Sequence, residues 1–377
     1  MNRACHGPAE WKSLIRYALT ILSLMVCARL SAGPKVVPMH FEIKSPTQLV
    51  ALQFDLSLPK SGAQAVSLSE LRRPSQVTDH TVDYREISTG VYRVVIYSWK
   101  STPVPEGKLL EALVELLNST LLRDWSVQIS NIVFAQADGR TASASMQVLP
   151  VITLRHPESP RGFAAGHTTM LSVDAVQPVQ GRVVKVEFLV DGRTIAEVAK
   201  SPFAAEWLPA NTGEFALAAV AYDDQGNRQQ SQPIRVTVFS LKSIDSYTAY
   251  WNLFYPGASE NRPLTGFRDD PNGDGYSNAV AFFLGADPLS DLAPGWITSR
   301  LDRQTEPSRL LIQFTRLTTQ GQVGYRLDTS TDLNSWKPLS SERISALDHG
   351  DGTETVSVSL SVTDQRNQFI RVSLIER

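Results

Sequence analysis

From residue 34 onward the chain is written in short alternating runs separated by turns, and this period of two limits its fold more than any other feature. In VALQFDLSL, Val50, Leu52, Phe54, Leu56 and Leu58 alternate with mostly small or polar residues, which describes a half-buried strand. GVYRVVIYS repeats the pattern through Tyr92, Val94, Ile96 and Ser98, and WSVQISNIVFAQADG supplies a further strand pair with a turn at Asp138-Gly139. The run GKLLEALVELLN reads two ways. Leu109, Leu113 and Leu116 fit helical spacing, whereas Leu110, Ala112, Val114 and Leu116 fit a strand. Pro150 closes this first region.

A second region, 151–240, is more sharply patterned. Val184, Val186, Phe188 and Val190 alternate, Asp191-Gly192 turns the chain, and Ile195 and Val198 return. An Asp-Gly pair between alternating runs predicts a tight hairpin, because both central residues need positive φ. GEFALAAVAYDDQGN then sets Phe215, Leu217, Ala219 and Ala221 on one face, and a last strand carries Ile234, Val236 and Val238. Residues 296–377 return to the same texture, with Leu310, Ile312 and Phe314 alternating, and Ile370, Val372 and Leu374 likewise. The expected fold class is all-β: tandem β-sandwiches with one short loop-helix segment.

At 377 residues the chain has room for two to four domains. Residues 1–32 read as a secretory signal peptide: Arg3, Lys12 and Arg16 precede the nine-residue apolar run Ala18 to Val26, and Ser31, Ala32 and Gly33 follow. That run is too short to span a bilayer, which needs about 20 residues. Both cysteines, Cys5 and Cys27, lie in this leader, so the mature chain is expected to have neither disulfides nor thiolate chemistry. Removing the leader's net +3 from the formal charge of −2 leaves −5, a balance unlike that of a nucleic-acid binder. The expected location is secreted or on the cell surface. The divisions are 33–150, 151–240, 241–295 and 296–377.

Three resemblances accompany these patterns. The order VALQFDLSL, GVYRVVIYS, VQISNIVFAQADG resembles cohesin-type domains, extracellular β-sandwich (jelly-roll) receptors of bacteria, and implies a protein-binding role for 33–150. The Leu-rich stretch 109–117 departs from it if helical. The set VVKVEFLVDG, SPFAAEW and GEFALAAVAYDDQGN resembles bacterial immunoglobulin-like domains, which implies a spacer or binding module. LDTSTDLNSWKPL with FIRVSL is similar to a small C-terminal β-domain of large secreted proteins.

Residues 269–288, DDPNGDGYSNAVAFFLGADP, carry the pattern closest to site chemistry. A helix–loop calcium site takes oxygen ligands at loop positions 1, 3, 5, 7 and 9 and a carboxylate at 12. Counting from Asp270, these are Asp270, Asn272, Asp274, the Tyr276 carbonyl and Asn278, with Gly275 at the sharp turn. Position 12 is Ala281, which has no ligating side chain. The loop is similar to dockerin repeats and thrombospondin type 3-like repeats, which implies Ca2+; a dockerin carries two such loops, and here there is one. The plainer alternative makes Asp270, Asn272 and Asp274 turn-formers ahead of a short helix from about Ser277 to Leu284, ended by Gly285 and Pro288.

No H-E-x-x-H, G-x-S-x-G or phosphate-cradling glycine loop occurs, and His40, His80, His156, His167 and His349 are scattered. The expected function is therefore non-catalytic: extracellular adhesion, scaffolding or protein binding. The alternative is carbohydrate binding within a polysaccharide-degrading system, for which Trp99, Trp125, Trp207, Trp251 and Trp336 could offer flat faces. The aromatic stretch YTAYWNLFYPG is expected to be a packing face.

Overall fold

The computed structural model describes residues 35–44, 48–59, 66–116, 126–157, 161–179, 181–256, 265–290, 292, 297–304, 307–319, 323–339, 344–361 and 369–376. The leader, Trp125 and the end of the Leu-rich run lie outside these residues. The chain divides into two compact units, residues 1–39 with 43–145, and residues 40–42 with 146–377. The structure is all-β, with two short α-helices among the described residues. No helix among them is long and apolar enough to cross a membrane.

The N-terminal strands are β1 (Lys35–Lys44), β2 (Leu49–Ser57), β3 (Val66–Arg72), β4 (Thr81–Ser88), β5 (Val91–Tyr97), β6 (Gly107–Leu116), β7 (Gln128–Gln136) and β8 (Ser145–Val148), of which β2 to β7 lie wholly in the first unit. They form two four-stranded sheets, ordered β3-β6-β1-β8 and β4-β5-β2-β7. The Leu-rich run is strand, not helix. Leu110, Ala112, Val114 and Leu116 are all buried, and β6 pairs antiparallel with β3. Here the period-two set wins over the helical one because it gives the sheet a continuous apolar face.

In the second unit, β9 (Val151–His156), β11 (Thr169–Val176) and β14 (Phe203–Trp207) make one sheet, ordered β14-β11-β9. β10 (Arg161–Ala164), β17 (Ile234–Phe239), β15 (Gly213–Asp223), β12 (Val183–Val190) and β13 (Arg193–Val198) make the facing one in that order, with β16 (Arg228–Gln230) beside β15. The Asp191-Gly192 hairpin forms with φ of 48° and 76° at its two central residues. Phe188, Leu217, Ala219, Ala221, Val236 and Val238 meet in the core between the sheets.

Helices α1 (Tyr247–Phe254) and α2 (Asn278–Leu284) follow, and then two further sheets. These are β18 (Ile297–Asp302), β19 (Arg309–Leu317), β23 (Thr353–Ser361) and β22 (Ile344–Asp348), and β21 (Lys337–Pro338), β20 (Val323–Ser330) and β24 (Phe369–Glu376), each in that order. One apolar cluster joins the parts of this unit. Ala164 and Phe239 from the sandwich, Tyr250, Trp251 and Phe254 from α1, Phe282 and Phe283 from α2, and Phe314, Val356 and Val358 from the last sheets all belong to it. The aromatic stretch is thus a packing face. Ser246 caps α1 by accepting from the Ala249 amide at 3.1 Å, and Tyr250 donates to the Ala286 carbonyl at 2.7 Å.

The close approach of backbones marks how tightly these parts meet. A Cβ at Gly162 in β10 would overlap the Leu253 carbonyl of α1, and one at Gly352 would overlap the backbone at Leu241 and Lys242. Arg161 is buried beside Gly162, pairs with Asp287, and lies over the Tyr255 ring at 4.6 Å. Tyr255 donates to the same Asp287 at 2.7 Å.

Candidate functional site

The predicted calcium-loop residues stand in one turn leading into α2. Asp270 accepts from the Gly273 amide at 2.8 Å and the Gly275 amide at 2.9 Å, one with each carboxylate oxygen. Gly273 and Gly275 have φ of 74° and 87°, a conformation that side chains bearing a Cβ rarely take. Asp274 accepts from the Tyr276 and Leu292 amides, both at 2.8 Å. Burial pushes the Asp274 carboxyl up, but the amides of Leu292 and Tyr276 outweigh it and hold it below the usual carboxylate range.

Asn278, only 1 % exposed, turns its amide nitrogen to the Gly266 carbonyl at 2.9 Å and so clasps the preceding turn. Ala281 is 5 % exposed and sits in the apolar cluster with Phe282 and Phe283. The short helix runs from Asn278 to Leu284, and Gly285 ends it in the left-handed conformation at φ 68°. The oxygen-bearing types and the turn glycine therefore fit a cation loop at positions 1 to 9, while position 12 faces hydrocarbon. Among the described residues, no three His, Cys, Asp or Glu side chains gather as a metal-holding group.

A second constellation, with no counterpart among the motifs of the sequence, lies on the outward face of the β4-β5-β2-β7 sheet. Inward residues Leu52, Phe54, Leu56, Val94 and Ile96 fill the core. The pairing register fixes what lies between them: Asp83 opposite Val95, Val95 opposite Gln53, and Gln53 opposite Val133. One row away, Arg85 faces Arg93 and Arg93 faces Asp55. Two guanidinium groups opposite each other would repel. Arg93 instead turns to Asp55, making two hydrogen bonds at 2.8 and 2.9 Å, and Asn131 adds a third to Asp55 at 2.6 Å.

Asp55 is 2 % exposed, and the Arg93 guanidinium holds its carboxyl down at about 2. Asn131 reaches it from a bulge in β7, where its φ of 51° interrupts the register. Gln53, Asp83, Tyr84, Arg85, Arg93 and Val95 line a shallow recess of about 350 Å³ on this face. At its end Tyr97 donates to Asp83 at 2.9 Å, and this bond raises the phenol's pKa.

The described tryptophans sort cleanly. Trp207 and Trp251 are buried in the second unit, and Trp336 donates to the Leu333 carbonyl with Arg371 over its ring at 4.3 Å. Trp99 is 83 % exposed, beside Tyr97 at the end of the open face. Asp55, Arg93 and Asn131 escaped notice in the sequence because their meeting depends on strand order and a bulge. The only local trace was a charged residue within each of two apolar alternations.

A family model for the bacterial Ig domain matches residues 150–226. Among solved structures, the chain is similar to the fibronectin(III)-like modules of Clostridium thermocellum CbhA at 29% identity, covering 23% of this chain and 93% of that one with a TM-score of 0.22. It is similar to a cohesin module from a Clostridium perfringens family 33 glycoside hydrolase at 14% identity, covering 30% and 83%, with a TM-score of 0.24. A Bacteroides ovatus protein, SGBP-B of a mixed-linkage glucan utilization locus, solved with a mixed-linkage heptasaccharide, matches at 10% identity over 91% and 89%, with a TM-score of 0.16. A search of curated proteins returns no match. The region 150–226 is thus an Ig-like module within a modular β-sandwich protein.

Proposed function

We propose that this is a secreted, non-catalytic binding and scaffolding protein whose first unit carries the recognition surface. The observation that carries the reading is the outward face of the β4-β5-β2-β7 sheet, which is left open among the described residues. There Val133 stands 45% exposed near the Asp55–Arg93 pair, on strands whose other face is core. Loosely covered sheet faces with a recess and fixed polar groups are where a modular protein meets its partner. The Ig-like match over 150–226 supports a modular extracellular setting. The second unit, in which one apolar cluster ties the end of the sandwich to the helices and the last sheets, acts as a stiff support.

The test uses the full chain, immobilised and exposed to secreted proteins and to cell-envelope polysaccharides. A variant carrying Gln53→Arg and Val133→Asp should lose whatever the wild type retains, with its unfolding free energy within about 1 kcal/mol of wild type because both side chains lie on the face away from the core. Equal retention by the two proteins would remove the face from the mechanism. No retention from either source would sink the binding reading.

In this reading the 270–278 loop takes one calcium ion as a weak structural ligand. Asp270, Asn272, Asp274, the Tyr276 carbonyl and Asn278 supply its oxygens, and water supplies what Ala281 does not.

A further inference from the structure

We propose that Trp99, Tyr97 and Asp83 form a stacking platform for a neutral, hydroxyl-rich polysaccharide. The inference rests on the reading that the open face of the first unit is the recognition surface. Trp99 is anomalous for its residue type: an indole 83 % exposed forgoes the burial that Trp207 and Trp251 obtain.

Nor is it loosely held. Tyr97 meets it edge to face, with ring centroids 5.0 Å apart at 87°. The turn beneath is closed by the Ser98 hydroxyl, which accepts from the Lys100 and Thr102 amides at 3.2 and 3.1 Å. The Ser101 amide donates to the Ser98 carbonyl at 3.2 Å, with Ser101 in the left-handed region at φ 55°. An aromatic plane fixed before binding loses little entropy when a ligand lies on it.

The surrounding groups select the ligand's chemistry. Sugar rings offer an apolar face of C–H bonds for the indole and a rim of hydroxyls for hydrogen bonding. Asp83, exposed and tied to Tyr97 at 2.9 Å, is an acceptor beside the platform, and the Gln53 amide lies on the same outward row. Charge is nearly cancelled: Asp55 pairs with Arg93, Asp79 with Lys100, and Asp83 and Arg85 stand two residues apart on one strand face. A polyanion would need an excess of cations, which this face lacks.

A protein hot spot would need a surrounding ring of contacts that excludes water, whereas Trp99 stands on a turn beside Lys100, which pairs with Asp79 of a neighbouring turn. From Tyr97 through Val95 to Arg93 the face runs about 14 Å at the usual strand rise. That length suits several linked sugars better than one.

The experiment is affinity electrophoresis of the full chain through gels containing hydroxyethylcellulose, xylan, galactomannan or, as the charged control, polygalacturonate. Wild type should be retarded by at least one neutral polymer and not by polygalacturonate. Trp99→Ala should weaken that retardation about tenfold. Trp99→Tyr should recover part of it, and Asp83→Ala should weaken it with the indole intact. Unchanged circular dichroism would confirm that the variants are folded.

Equal retardation of wild type and Trp99→Ala would overturn the proposal, as would retardation by polygalacturonate alone or by no polymer. If no polymer retards the chain but the Gln53→Arg, Val133→Asp variant still loses a captured protein, the sugar platform fails and the recognition face stands.

Discussion

Two sheets, one from each unit, use their second faces in opposite ways. In the β4-β5-β2-β7 sheet of the first unit the outward face is open among the described residues, and burial along β5 alternates between buried and half-buried residues. In the second unit all four residues of β10 are buried, although β10 is an edge strand. Phe163 enters the core between the sheets, while Ala164 enters the cluster shared with the helices, and Gly162 runs against α1. Period-two burial therefore reports how many faces are covered, not whether a segment is a strand. The uncovered sheet keeps polar pairs and an exposed indole available for recognition. The covered one turns the same kind of surface into cohesion.

The sharpest way to break this contrast is Gly162→Ala. The added methyl meets the Leu253 carbonyl, which is backbone and cannot rotate away, so β10 and α1 must separate. The expected loss is about 3 kcal/mol or more, at the upper end of overpacking costs. In urea, the fluorescence change from buried Trp207 and Trp251 should move to a lower midpoint. A midpoint equal to wild type would mean that the close approach does not hold this unit together.

A smaller effect is expected from the charged pair under the open face. Asp55→Ala strands Arg93 opposite Arg85 and removes three hydrogen bonds, at a cost of roughly 2–3 kcal/mol, below a fully buried pair because Arg93 reaches solvent. The pair also sets a pH dependence. With its folded pKa depressed from 3.8 to about 2, Asp55 contributes stability that is complete above about pH 4 and is lost as pH falls towards 2. Urea midpoints measured between pH 5 and pH 2.5 should fall less in Asp55→Ala than in wild type. Parallel curves would show that Asp55 is not the group responsible.

Much of this contrast was legible in the sequence, and the part that was not has a definite cause. Alternation identified β2, β5 and β19, whose large apolar residues face one core, and also β12 and β15, where the large residues keep the period although Leu189, Ala218 and Val220 form a small second cluster on the other face. The Leu-rich run stayed ambiguous because leucines at 109, 110, 113 and 116 satisfy both periods; only pairing with β3 selects the strand. The short helix and its Gly285 stop were readable, since they rest on local backbone chemistry. β10 was not, because RGFA has no period and owes its burial to two partners distant in sequence. The Asp55–Arg93–Asn131 group was invisible for the same reason: its members lie on three strands brought side by side by sheet order.

The smallest expected effect concerns the loop before α2, where a local motif meets a covered core. The backbone amides of Gly273, Gly275, Tyr276 and Leu292 already satisfy Asp270 and Asp274, so the loop should hold its shape in chelator. If calcium binds with a Kd of about 1 mM, 10 mM calcium should stabilise the protein by about 1.4 kcal/mol, read as a rise in Tm over the chelated sample. An identical Tm in both would end the metal reading. Ala281→Glu sharpens the test, because it supplies the carboxylate of position 12 from a site that is now packed among aromatic rings. In chelator the variant should melt below wild type, since an unpaired carboxylate is costly there. Calcium should then raise its Tm by more than it raises that of wild type, because the ion compensates the charge only if the side chain can turn into the loop. A lower Tm with no calcium response would mean that the core, and not the loop, dictates what position 281 can do.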